Sequence, residues 1–183
     1  MNLMIASDLH GSAYYCRELL AALDREQPQK LLLLGDLLYH GPRNDLPRDY
    51  APKEVTALLN ACRQQLLCVR GNCDAEVDQM VLPFPVLADY AWFVWDGFRV
   101  FATHGHHAGP DDPPAAPFDL LLSGHTHLPM LARRADGRVY ANPGSVAIPK
   151  GGNPPTYLLY EDGTLSLRRL SDGEVLTTLS LRA

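Results

Sequence analysis

Short apolar runs alternate with amphipathic segments over the first 72 residues. In the segments between the runs, apolar positions at helical spacing predict helices over 13–26 and 52–65, with Pro28 after the first and Pro52 opening the second. A strand–helix–strand–helix–strand order implies parallel pairing through right-handed crossovers. The apolar runs themselves are too short for helices and predict buried strands: "LMIAS" (3–7), "KLLLLGD" (30–36) and "LLCVRGN" (66–72).

The second half of the chain is built from short alternating segments separated by Asp-Gly pairs. An Asp-Gly pair between two alternating apolar runs is typical of a two-residue β-hairpin. We therefore expect a mainly antiparallel second half, and two packed sheets with helices outside, an α/β fold, accommodate both halves. With no internal repeat and no clear linker, one domain is expected over 1–183. The Asp-Gly pairs lie at 96–97, 136–137, 162–163 and 172–173.

Composition narrows the class of protein. Of the 183 residues, 46% are hydrophobic and 20% charged, which is ordinary for a soluble globular protein. A formal net charge of −5 without a Lys/Arg run argues against long nucleic acids as partners. The sequence contains no apolar run of membrane-spanning length and no export signal, so we expect a cytoplasmic protein without membrane contact. None of the four cysteines forms a CxxC pair, so reduced thiols are expected rather than a cysteine zinc site.

Polar side chains follow the ends of the predicted strands. The carboxyl-terminal edge of an open α/β sheet is where ligands bind, and carboxylate, amide and imidazole groups are the usual ligands of Mn, Fe, Ni or Zn in mixed sites. Each residue alone has a common structural interpretation as a loop, a helix cap or a turn. Together, and in this order, they predict a metal site: Asp8, His10, Asp36, Asn72, His104, His125 and His127.

The motifs that carry these residues also occur in a known order. "DLHG", "GD", "GNCD", "THGH" and "GHTH" resemble the signature of the calcineurin-like metallophosphoesterases. With "HGPRN", "NPGSV" and "IPKGGNP", nearly the whole chain resembles the small bacterial YfcE-type phosphodiesterases. The resemblance implies a four-layer αββα sandwich with two metals above the sheet edges. It implies one metal on Asp8, His10, Asp36 and His127, and a second on Asp36, Asn72, His104 and His125.

The implied activity is hydrolysis of a small phosphodiester by a hydroxide that bridges two metals. Two divalent cations outweigh the charge of two carboxylates and one hydroxide, which favours an anionic ester, and they lower the pKa of bound water. We expect Mn²⁺, with Ni²⁺, Co²⁺, Fe²⁺ or Zn²⁺ as alternatives. The resemblance also implies a homo-oligomer. Two other functions stay open: a metal-binding interaction scaffold of the retromer-subunit type, and a phosphomonoesterase.

Cys73 departs from the wider superfamily, in which a histidine usually follows this asparagine. Three roles stay open for it: a weak acid or substrate contact, a space-filler, or a nucleophile. The nucleophile is least favoured because a metal hydroxide already fills that role. Asp74, a further catalytic candidate, either orients a metal ligand or the Asn72 loop, or makes a simple turn. Arg43 and His106 are candidates for stabilising charge on the phosphoryl oxygens, and His40 and Arg43 for a pocket wall.

Overall fold

The structure is a computed structural model that describes residues 2–182, and two β-sheets dominate it. Within that range no helix is both long and apolar enough to cross a membrane. The helices are α1 (Ala13–Glu26), α2 (Pro52–Ala61) and α3 (Glu76–Gln79). The strands are β1 (Leu3–Ala6), β2 (Lys30–Leu33), β3 (Leu66–Cys68), β4 (Tyr90–Trp95), β5 (Phe98–Thr103), β6 (Leu120–Leu122), β7 (Met130–Arg133), β8 (Val139–Asn142), β9 (Thr156–Glu161), β10 (Thr164–Arg169) and β11 (Val175–Ser180).

The parallel first half is confirmed. Strand β1 pairs in parallel with β2, and β2 with β3, in the six-stranded sheet of order β11-β10-β9-β1-β2-β3. Helix α1 has the predicted bounds because Ser12 caps it, accepting a hydrogen bond from Tyr15 N at 3.2 Å. Helix α2 ends at Ala61, before the predicted 65, because residues 63–65 form a tighter 3₁₀ turn that leads into β3.

The mainly antiparallel second half is confirmed as well, with two parallel pairs inside it. Each Asp-Gly pair joins two antiparallel strands: β4–β5, β7–β8, β9–β10 and β10–β11. In the second sheet, of order β4-β5-β6-β8-β7, strand β6 pairs in parallel with both β5 and β8. The ends of β5 and β6 therefore face the same edge, and His104 and His125 follow them.

Three groups of buried residues hold the layers together. The two sheets pack face to face through residues such as Ile5, Leu32 and Leu122. Helices α1 and α2 cover the other face of the six-stranded sheet, and their side chains share a core with β1, β2 and β9. On the outer face of the second sheet, Phe118 from the non-helical segment between β5 and β6 packs edge-on against Tyr140. Because β9–β11 extend the sheet of β1–β3, both halves of the chain contribute to one sheet, and a single domain over 1–183 stays a prediction.

The loops that follow β2 and β3 touch through glycine. A Cβ atom added at Gly71 would lie 2.1 Å from Asp36 Oδ1 and 2.3 Å from Asp36 N. One added at Gly35 would lie 2.3 Å from Gly71 N. No side chain fits at such distances, so glycine at both positions allows the two loops to bring Asp36 and Asn72 together.

We predict that Gly71→Ala lowers the free energy of unfolding by about 1–3 kcal/mol, because the added methyl group forces the two loops apart. Urea unfolding measures the change. Gly109→Ala is the matched control, since its added Cβ meets no atom closer than 3.4 Å and its backbone is not left-handed. The control should change stability by no more than about 0.5 kcal/mol. Equal effects of the two substitutions would show that the loops are not in close contact.

Candidate metal centre

The seven predicted residues lie where the carboxyl-terminal edges of the two sheets meet. Asp8 and His10 follow β1, Asp36 follows β2 and Asn72 follows β3. The remaining three follow β5 and β6 of the second sheet. Their side chains converge from different parts of the chain, with 117 residues separating His10 from His127. The parallel pairs of both sheets explain this, because parallel strands all end at the same edge.

Four of the side chains form a first cluster. His127 Nε2 lies 3.2 Å from Asp8 Oδ1 and 3.3 Å from His10 Nε2. His10 Nε2 lies 3.6 Å from Asp8 Oδ1 and 3.6 Å from Asp36 Oδ2. All four residues are buried. The ligand atoms of Asp8, His10 and His127 lie within 4.8 Å of one another, and Asp36 adjoins this group through its contact with His10.

A second cluster lies beside the first and shares Asp36 with it. His104 Nε2 lies 3.5 Å from the same Asp36 Oδ2 atom and 3.1 Å from Asn72 Oδ1. The His125 ring lies next to that of His104, with 5.1 Å between the ring centroids. One oxygen of Asp36 is thus within 3.6 Å of an imidazole nitrogen in each cluster.

Backbone contacts set the orientation of three imidazoles. Nδ1 of His10, His104 and His127 lies 2.8, 2.7 and 2.9 Å, respectively, from a backbone carbonyl oxygen. Since a carbonyl only accepts hydrogen bonds, Nδ1 carries the proton and donates it. In the neutral ring this leaves the lone pair on Nε2, directed into the clusters, which is the arrangement that metal-binding histidines adopt.

The charges in the clusters fit divalent cations. Asp8 Oδ2 accepts a hydrogen bond from His125 N at 3.2 Å, whereas the buried Oδ1 accepts none of good geometry from the residues that the structure describes. Burial opposes ionisation of Asp8, yet contacts with His10 and His127 hold its pKa below the usual range. Burial likewise opposes protonation of His104, yet the Asp36 and Asp8 carboxylates raise its pKa to about 9. Positive charge is therefore favoured here, and the oxygen and nitrogen donors suit divalent ions.

The backbone at five of these residues is left-handed. Asp8, His10, Asp36, His125 and His127 have φ angles between 48° and 67°. Residues other than glycine adopt this conformation rarely, and such strain concentrates at functional sites. Within each of the two pairs, Asp8 with His10 and His125 with His127, the intervening residue has a negative φ. This alternation turns both side chains of a pair toward the same side of their loop. No pattern in the sequence indicated this strain.

Asp74 lies under the site and ties its loops together. Its carboxylate accepts backbone hydrogen bonds from Asp36 N at 2.8 Å, Leu37 N at 2.8 Å and Gly71 N at 2.7 Å. The side chain is 3% exposed and does not line the pocket described below. Of the two roles that the sequence left open, this geometry favours orientation of the neighbouring loops.

A pocket of about 390 Å³ opens beside the two clusters. Cys73 lines it, with its backbone N–H donating to Asp36 Oδ1 at 2.8 Å and its Sγ accepting from Asn72 Nδ2 at 3.3 Å. Burial, and then the charge of Asp36, raises the pKa of Cys73 to about 12. The thiol is therefore protonated at neutral pH, which argues against the nucleophile role. The lining residues are His10, Asp36, Gly41, Pro42, Arg43, Asn44, Asn72, Cys73, His125, Thr126, His127 and Lys150.

The structure separates the remaining candidates. Arg43 lines the pocket, whereas His40 and His106 do not. The His40 ring packs edge-on against two tyrosine rings at 4.8 and 5.1 Å. His106 lies 5.3 Å from the His104 ring, and burial together with that neighbour lowers the pKa of His106 to about 4. A role for His40 or His106 toward substrate stays a prediction.

Sequence reasoning missed Lys150, Asn44 and Thr126 as pocket residues. Lys150 lies in "IPKGGNP" and Asn44 in "HGPRN", two motifs that carry the family resemblance. Their polar side chains between glycines and prolines were the available signal. Ser145 was also missed: its Oγ donates to the Asp8 carbonyl at 2.8 Å and so supports the loop after β1.

Comparisons with known proteins identify similar sequences and folds. The family model of the calcineurin-like phosphoesterase superfamily domain matches residues 1–163. The chain is 44% identical over 182 residues to Phosphodiesterase YfcE of Escherichia coli strain K12, covering 99% of this chain and 98% of that protein. A solved structure of YfcE, described as a phosphoesterase from E. coli, superimposes with a TM-score of 0.95 at 43% identity, covering 100% of both chains. Vps29 of Entamoeba histolytica, solved with Zn²⁺, has a TM-score of 0.64 at 20% identity, with 100% of both chains covered, which shows a shared fold.

We predict that Asp74→Ala lowers the free energy of unfolding by about 3 kcal/mol or more, because three buried N–H groups lose their acceptor. Asp78→Ala is the matched control on the same segment, since Asp78 accepts one such bond, from Ala75 N at 2.8 Å. The control should cost about 1 kcal/mol. Urea unfolding of both variants decides. If Asp74→Ala costs no more than Asp78→Ala, Asp74 does not hold the site loops.

Proposed function

The chain belongs to the calcineurin-like phosphoesterase superfamily, and on that premise we propose that it is a phosphodiesterase that uses two divalent metal ions to hydrolyse small phosphodiesters. One observation carries the proposal. A single Asp36 oxygen lies within 3.6 Å of His10 Nε2 and of His104 Nε2, between two clusters of buried ligand atoms. A carboxylate in this position suits the bridge of a two-metal site.

The proposed ligand sets follow the two clusters. Asp8, His10, Asp36 and His127 would hold one ion. Asp36, Asn72, His104 and His125 would hold the second. The family implies divalent metals, and the mixture of carboxylate, amide and imidazole donors supports Mn²⁺ as the first choice, with Ni²⁺, Co²⁺, Fe²⁺ or Zn²⁺ as alternatives.

When bound, two such ions supply a water-derived nucleophile at neutral pH and neutralise charge on the phosphoryl oxygens. The chain's own residues do the rest. The buried Asp8 and Asp36 carboxylates fix the position of the charge, and the carbonyl contacts of the histidines hold the imidazoles in place. Cys73, with its proton on sulfur, contacts the substrate or donates weakly to it. Arg43 places a positive charge on the pocket wall for an anionic ester.

A small diester is the proposed substrate. The pocket of about 390 Å³ suits a small molecule, and the relative from E. coli is named a phosphodiesterase. The formal net charge of −5 gives no support for binding of long nucleic acids. The likeness to Vps29, at 20% identity, concerns the fold alone. No contact in the site favours a scaffolding function.

We propose further that the enzyme acts in the cytoplasm as a homo-oligomer. All four cysteines are free, as expected in a reducing compartment. Strand β4 forms one edge of the second sheet, and it exposes Tyr90, Trp92 and Val94 on a single face. An exposed edge with apolar side chains and no charged residue suits a contact between subunits.

Asp36→Asn should lower Mn²⁺-stimulated hydrolysis of bis(p-nitrophenyl) phosphate by about a hundredfold or more, because the shared carboxylate loses its charge in both ligand sets. Release of p-nitrophenol at saturating metal measures the rate. Asp24→Asn, on the exposed face of α1, is the control and should keep the wild-type rate. No turnover by the wild type with Mn²⁺, Ni²⁺ or Co²⁺ would contradict the proposed function.

Cys73→His should change the rate, or the preference between phosphomonoesters and phosphodiesters, while the metal content stays the same. Histidine is a stronger donor than the thiol, whose pKa is raised to about 12. Rates on p-nitrophenyl phosphate and bis(p-nitrophenyl) phosphate, with metal measured by elemental analysis, give both readouts. Loss of metal would identify Cys73 as a ligand, as its position near His10 and Asp36 allows, and would contradict the proposed ligand sets.

A further inference from the structure

Two cationic side chains line the pocket from separate loops. Arg43 comes from the loop between β2 and α2, and Lys150 from the loop between β8 and β9. Neither forms an ion pair with any residue in the described range 2–182. The one carboxylate among the lining residues is Asp36, which is 2% exposed and lies in the metal clusters. The pocket therefore offers two positive charges without an acidic partner.

Among the described residues, Arg43 shares this lack of an ion pair with Arg48, Arg63, Arg133 and Arg134, whereas other arginines have a carboxylate partner. Arg17 lies 2.5 Å from Asp49 and Arg99 lies 2.6 Å from Asp119. Arg138 likewise lies 2.6 Å from Asp136. In a chain with a net charge of −5, acidic partners are not scarce. A cation left unpaired beside a candidate active site is available for an anionic ligand.

The backbone of Lys150 is hydrogen-bonded to the backbone of His127, a proposed metal ligand. Its N–H donates to the His127 carbonyl at 3.1 Å, and its own carbonyl accepts from Asn153 N at 3.3 Å and Asn153 Nδ2 at 2.8 Å. His127 Nδ1 in turn lies 2.9 Å from the carbonyl oxygen of Ile148, in the same loop. The start of the Lys150 side chain is thus fixed relative to the metal cluster, which reduces the entropy lost on binding.

Arg43 lies on a second pocket loop, whose turn packs on Cys73. It lies in a turn in which Asn44 N bonds the Gly41 carbonyl at 3.5 Å and Asn44 Nδ2 bonds the His40 carbonyl at 2.8 Å. A Cβ added at Gly41 would lie 3.1 Å from Cys73 Sγ, so this turn packs directly on Cys73. Both cations therefore come from loops that are fixed to the site.

The charge of a simple diester does not account for both cations. A phosphodiester carries one negative charge, at the phosphorus, where the proposed metal ions already supply countercharge. We propose that the substrate carries a second anionic group, a carboxylate or a phosphate on the arm that is not the leaving group, and that Lys150, which lines the same pocket as Arg43, binds it. This inference rests on the proposed phosphodiesterase function and narrows its substrate class.

Matched substrates test the inference on the metal-loaded enzyme. The first is p-nitrophenyl 2-carboxyethyl phosphate, and the second is its carboxamide, which has the same shape, the same leaving group and one negative charge fewer. A third, with a phosphate in place of the carboxylate, separates the two anion types. We expect kcat/KM about two- to fivefold higher for the carboxylate than for the carboxamide, the size of one exposed charge pair. The difference should lie in KM, because the arm binds equally in the ground and transition states.

Substitution of Lys150 shows whether this residue causes the preference. Lys150→Met should bring the ratio of the two kcat/KM values close to one, and Lys150→Arg should restore most of it. Lys53→Met, on α2 and outside the pocket lining, is the control and should keep the wild-type ratio. Raising the salt concentration should reduce the wild-type preference, since it screens exposed charges.

The possible results distinguish failure of the second-anion inference from failure of the proposed phosphodiesterase function. If the wild type hydrolyses the carboxylate, phosphate and carboxamide substrates with equal kcat/KM, the second-anion inference is wrong and the phosphodiesterase function stands. A preference that survives in Lys150→Met would also overturn the assignment to this residue. If the metal-loaded enzyme hydrolyses none of the substrates, nor bis(p-nitrophenyl) phosphate, the proposed function itself fails, and the inference with it.

Discussion

The arrangement of the site depends on two buried carboxylates that lack enough hydrogen-bond donors. Asp8 and Asp36 are 0% and 2% exposed. Each accepts one backbone hydrogen bond, from His125 N and Cys73 N respectively, and the other polar atoms that face them are mainly imidazole nitrogens. Burying ionised carboxylates in this way is costly unless cations compensate them. The clusters therefore make physical sense as a place for divalent ions, and Asp36, which belongs to both clusters, is the residue on which a two-metal function depends.

Residues that take no part in the proposed reaction hold the loops of the two carboxylates in place. Gly35 and Gly71 let the loops after β2 and β3 touch, and Asp74 closes that contact with three hydrogen bonds to backbone N–H groups. Left-handed backbone at Asp8, His10 and the other strained residues of the site costs roughly 1 kcal/mol or more at each position. Since packing of the two sheets holds these loops in place, part of the stability of the core compensates for strain at the site.

The strands of the first half, the hairpins and the seven converging residues were predictable from the sequence, but the strand order of the second sheet and the side-chain geometry were not. Apolar run length identified β1–β3, and Asp-Gly pairs identified the hairpins, because both signals are local. The parallel pairing of β6 with β5 and β8 depends on contacts between distant segments, so no local pattern predicted it. Polar residues at strand ends identified the seven that converge. Lys150 escaped notice because a lone lysine in a glycine-rich loop resembles any solvated side chain until the structure places it beside His127.

The proposed two-metal function requires that Asp36 contacts both ions. Anomalous diffraction from crystals loaded with Mn²⁺ tests it most directly, because the anomalous signal locates each ion independently of the protein atoms. Two peaks are expected, on either side of Asp36 and about 3.5–4 Å apart, one among Asp8, His10 and His127 and the other among Asn72, His104 and His125. A single peak, or two peaks of which Asp36 contacts only one, would contradict the account.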